Sequence, residues 1–141
     1  MKNNQIKMLI ATSLILLLVY CWYLFRPVYI KKVYKLNQCK GLSFTTIEYS
    51  TFQDHGIAFV YGETIGDGLP DKGFTIQRRL NGLGGSFNAI VTCSGDTLIV
   101  NYEEGCLEKI GEETKILTKR SYYEQYDSLK RNFIGQSIKV Y

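Results

Sequence analysis

The stretch "FNAIVTCSGDTLIVNY", residues 87–102, decides the fold. Phe87, Ala89, Val91 and Cys93 fall on one face of its first half. Leu98, Val100 and Tyr102 fall on one face of its second half. Alternation of this kind is the mark of half-buried strands. Ser94-Gly95-Asp96 lies between them and supplies turn chemistry, with Gly95 free to take positive φ. The stretch therefore predicts an antiparallel hairpin with one face on a core.

Moving outward, the same period recurs. "VYIKKVYKL" (28–36) is strand-like, and "LSFTTIEYSTF" (42–52) alternates Phe44, Thr46 and Glu48 with Thr45, Ile47 and Tyr49. "GFTIQRRL" (73–80), "TKILTK" (114–119) and "SIKVY" (137–141) read as further strands. "GIAFVYG" (56–62) is apolar on both faces, so it predicts a central strand buried on both sides. "GETIGDGLPDKG" (62–73) reads as a glycine-rich loop.

The period changes once. "SYYEQYDSLKRNF" (121–133) places Tyr122, Tyr126, Leu129 and Phe133 on one helical face. Ser121 and Glu124 fit a capping box, Lys130 and Arg131 oppose the helix dipole, and Gly135 is a stop. The pattern predicts a small β-rich (α+β) domain over residues 27–141. It would be an antiparallel sheet of about seven or eight strands, as a sandwich or half barrel. One C-terminal helix at about 121–133 and a final strand at 137–141 would complete it.

The first 26 residues are of another kind. A short polar tail, residues 1–7, carries Lys2 and Lys7. Residues 8–25, "MLIATSLILLLVYCWYLF", carry no charge. As a helix this run spans about 27 Å, near the ~30 Å thickness of a hydrocarbon core. It ends without a small-x-small cleavage triplet, so a retained anchor is expected rather than a removed signal peptide. Tyr20 is too bulky for the position before an acylated cysteine, so Cys21 reads as an apolar residue within the helix. Tyr20, Trp22, Tyr23, Phe25 and Arg26 cluster at one end and read as anchors at the membrane interface. The expectation is a single-pass protein of the cell membrane, held in the lipid bilayer through residues 8–25. Basic residues flank both ends of the run, and Arg26, Lys31, Lys32 and Lys35 after it would by the positive-inside rule keep the domain in the cytoplasm. The short Lys-bearing tail before it resembles an export signal and favours a domain outside the cytoplasm.

Charge narrows the partners. The chain has 17 Lys/Arg and 13 Asp/Glu. Three basic residues and no acids precede Pro27, so the domain holds 14 against 13. No basic stripe marks it for nucleic acid.

Candidate sites are few. The domain has three cysteines, Cys39, Cys93 and Cys106. Cys93 sits beside the hairpin turn and Cys106 about 9 residues beyond it, roughly 30 Å at strand rise. A bridge needs α-carbons within about 7 Å. Cys93 shares the core face, so in an exported domain the pair expected is Cys39–Cys106, whereas a cytoplasmic domain would keep all three thiols free. No zinc-ligand spacing is present. His55 is the single histidine and reads as a turn residue, or alternatively as a base beside Cys39 or Cys106. Asp67 and Asp71 lack the order of a calcium loop. "NGLGGS" (81–86) lacks the strand before and helix after that a phosphate loop requires. No cofactor or metal is expected. Glu103, Glu104, Glu108, Glu112 and Glu113 form an acidic stretch, and Tyr123 lies off the apolar helix face. Together these six residues are the candidate interaction surface.

The function expected is a membrane-anchored, non-enzymatic binding domain with a protein partner near the membrane. Envelope assembly and immunity-type roles both fit. The alternatives are an anchored thiol or histidine hydrolase, or a carrier of an apolar ligand.

Overall fold

The computed structural model of the protein describes residues 2–78, 86–111, 115–132 and 134–140. Helix α1 (Lys2–Phe25) extends the expected apolar helix back through the polar tail. Strands β1 (Val28–Leu36), β2 (Leu42–Ser50) and β3 (His55–Tyr61) follow, then β4 (Phe74–Gln77). The hairpin is β5 (Phe87–Ser94) and β6 (Thr97–Tyr102), with Gly95 at φ 62° as a two-residue turn needs. After it come β7 (Leu107–Ile110), β8 (Ile116–Arg120), helix α2 (Tyr123–Arg131) and β9 (Gln136–Val140).

The strands form two sheets. One has the order β1-β2-β3-β4-β7 and the other β8-β6-β5-β9. Their inner faces enclose one core. Phe44, Ile57 and Phe59 from the first sheet meet Phe87, Val91, Leu98, Val100 and Ile138 from the second. The face reading of the hairpin holds, since Phe87, Ala89, Val91, Leu98 and Val100 are all buried there, with Cys93 and Tyr102 packed beside them. The arrangement is a sandwich.

A second cluster lies on the outer face of the five-stranded sheet. Ile47, Tyr49, Ala58, Val60, Phe74 and Ile76 are buried there, with Leu69 of the 62–73 loop packed against them. That explains why β3 is apolar on both faces: its odd residues Ile57 and Phe59 face the inner core and its even residues Ala58 and Val60 the outer one. The outer layer is tight at Gly56. A Cβ there would lie 2.4 Å from the Gln77 carbonyl oxygen and 2.5 Å from the Tyr49 ring and hydroxyl, so only glycine lets Tyr49 lie across β3.

Four sequence expectations change. The disulfide joins Cys39 to Cys93, with α-carbons 6.1 Å apart, not Cys39 to Cys106. Cys93 does face the core, but in a sandwich that face meets the opposite sheet. Cys39 arrives there on the short 3-10 turn Asn37–Cys39 after β1. Cys106 is free and exposed. Second, the capping box does not form. The Ser121 amide donates to the Tyr102 carbonyl at 2.8 Å and Ser121 is buried. The helix therefore starts two residues later, with Tyr122 before it and no side-chain cap. Third, Tyr122 is 83% exposed, not on the buried stripe. Tyr126 is buried, and Phe133 lies outside the described residues. Fourth, the acidic stretch contains a strand, β7, which pairs with β4.

Candidate functional site

The candidate site forms where two strands end together. β6 and β8 run parallel, with Tyr102 opposite Arg120. Parallel strands deliver their exits to the same end of a sheet. The residues after β6, Glu103 and Glu104, therefore stand beside those after β8, Ser121, Tyr122 and Tyr123. The Ser121–Tyr102 backbone bond fixes the two exits to each other. Glu103, Glu104, Arg120, Ser121, Tyr122 and Tyr123 line a pocket of about 370 Å³.

Two carboxylates against one guanidinium make the pocket locally acidic. Tyr122 and Tyr123 offer exposed rings at its rim, and Tyr123 is 70% exposed. Tyr126 is the buried residue of the same helix. Burial pushes its phenol above the usual tyrosine value, and the Glu103 carboxylate adds to the shift. Chemically, the pocket can accept hydrogen bonds and a cation at the glutamates and present aromatic faces to an incoming chain.

A second pocket of about 490 Å³ adjoins it through Ser121. It lies under α2, between Thr92, Ile99 and Asn101 of the four-stranded sheet and Ser128 and Leu129 of the helix. Asn101 is buried and its amide donates to the Ile90 carbonyl and the Thr92 hydroxyl, both at 3.1 Å.

Of the sequence-predicted surface, Glu103, Glu104 and Tyr123 come together. Glu108 does not: it lies on β7 and pairs with Arg78 at 3.4 Å. Glu112 and Glu113 lie outside the described residues. Arg120 and Tyr122 are additions, and the signal that could have placed them is the parallel pairing of β6 and β8, which alternation does not encode.

The histidine alternative loses one partner. Cys39 is in the disulfide, and nine-residue β2 separates its end of the sheet from His55 by roughly 27 Å. His55 Nε2 is buried and has no hydrogen-bond partner among the described residues. The inter-sheet space where an apolar ligand would sit is filled by Phe44, Phe59, Phe87 and Leu98. Among the described residues no group of three or more His, Cys, Asp or Glu is placed to hold a metal ion. "NGLGGS" falls almost wholly outside the described residues.

Among the described residues one helix, Asn3–Phe25, is long and apolar enough to cross a membrane, with mean hydropathy 2.2. Tyr20, Trp22, Tyr23 and Phe25 are all exposed at its end, and the Arg26 guanidinium lies over the Tyr23 ring at 5.2 Å. No family model matches the chain, and neither does any curated protein or solved structure.

Proposed function

We propose that this protein is a single-pass membrane protein whose sandwich domain captures a basic protein segment outside the cytoplasm. The observation that carries the reading is the meeting of Glu103, Glu104, Tyr122 and Tyr123 around one pocket. A lysine or arginine on the partner would sit between the carboxylates and the tyrosine faces, with Arg120 holding a backbone carbonyl of the same segment. No bond is made or broken. The anchor raises the domain's effective concentration against anything else held near the bilayer.

The extracytoplasmic side is supported by the Cys39–Cys93 bond, because such bonds persist where the surroundings are oxidising. A retained anchor is supported by a span without a cleavage triplet and by its aromatic exit.

The test places a photo-crosslinking amino acid at Tyr123 of the full-length protein in its own cells. A discrete adduct is expected there and not at Lys139 on β9. Glu103→Lys with Glu104→Lys should weaken capture roughly tenfold, since each exposed charge contributes up to ~1 kcal/mol. Adducts that ignore the charge reversal would contradict the reading.

A further inference from the structure

The β2–β3 turn, residues 51–54, uses its polar groups internally. The Thr51 amide donates to the Asp54 carbonyl at 2.7 Å, and the Asp54 amide donates to the Thr51 hydroxyl at 2.9 Å. The Asp54 carboxylate accepts from the Tyr49 hydroxyl at 3.0 Å. One large apolar side chain is left facing out. Phe52 is 67% exposed.

The turn's position is set by the anchor. Only two residues separate α1 from β1, and Val28 pairs with Ser50 at the end of β2. The turn is thereby held beside the point where α1 ends. The Phe52 ring lies 4.9 Å from the Phe25 ring, centroid to centroid. Val28 and Ile30 at the start of β1 are also exposed.

We propose that the β2–β3 turn is a second membrane contact, with Phe52 seated in the headgroup–acyl boundary of the bilayer. This rests on the reading of α1 as a retained membrane helix. Phe25 closes an apolar run of about 27 Å, so it lies at the edge of the hydrocarbon core. The interfacial layer beyond that edge is roughly 5–7 Å thick on each side. A ring 4.9 Å from Phe25 lies within 4.9 Å of that edge, and the turn that carries it follows the end of α1 on the domain side, which places it at the headgroup–acyl boundary. Exposed Phe side chains of membrane-surface segments bury at that level. A helix alone leaves its domain free to swing. A second contact from a turn distant in sequence fixes which face of the sandwich meets the bilayer and which is presented away from it.

The chain has one tryptophan, Trp22, which serves as a depth marker. The wild type and a Trp22→Phe/Phe52→Trp variant, each with a single tryptophan, are reconstituted full-length into phosphatidylcholine–phosphatidylglycerol vesicles. The vesicles carry a nitroxide on a shallow acyl carbon. The wild-type indole should be strongly quenched. The indole moved to the turn should be quenched to within about twofold of it, with blue-shifted emission. A quenched wild type beside a variant that emits as in water would overturn this inference and leave the anchor standing. Quenching in neither protein would overturn the anchor reading and this inference with it.

Discussion

Tyr49 shows how one side chain records its surroundings. It lies buried in the outer cluster, across Gly56, and donates to Asp54. Burial first, and the Asp54 contact second, push its phenol up to about 12. The folded state favours the protonated phenol, whereas an unfolded tyrosine ionises near 10. Its contribution is therefore whole below about pH 10 and is lost as pH rises through about 12. An ultraviolet titration of the tyrosinates should show one late step near pH 12, absent from Tyr49→Phe. A variant that keeps the late step would show that another tyrosine gives rise to it. The alternation of "LSFTTIEYSTF" set Tyr49 with Ile47 on one face. It did not say that this face is the outer one, because a loop with the composition of a turn region supplies the cover.

At the scale of elements, the Cys39–Cys93 bond ties the β1–β2 connection to the hairpin across the sandwich. The sequence separation is 54 residues, for which loop-closure entropy gives about 4 kcal/mol. The Cys39→Ala/Cys93→Ala variant should lose roughly that much in denaturant unfolding of the full-length protein in detergent. It should also become insensitive to reductant, whereas Cys106→Ala should match the wild type. Sequence spacing ruled out Cys93 with Cys106 correctly but paired Cys39 with the wrong one of the two. The missing information was which strands lie in opposite sheets. The same gap hid β7. "LEKI" sits among glutamates and, as the outermost strand of its sheet, exposes Glu108 and Lys109. Edge strands bear such charges as protection from further pairing and so read as loops. β8 was legible as a strand, but not as a parallel partner of β6. That direction arises because β7 joins the other sheet and turns the chain back between them.

For the whole molecule, periodicity and length carried far. Nine-residue β1, the 87–102 hairpin, the helix near the C-terminus and the final strand all followed from period two, period 3.6 and turn residues. The candidate site was half legible. Glu103, Glu104 and Tyr123 stood out by charge and by position off the helical stripe, while Arg120 and Tyr122 joined them only through the β6–β8 register. The proposal to be tested first is that α1 holds this sandwich on the oxidising side of a membrane. The direct measurement fuses to the C-terminus, in turn, one reporter active only where disulfides form and one active only in the cytoplasm. Activity from the first and none from the second is expected. Activity from the cytoplasmic reporter alone would contradict it.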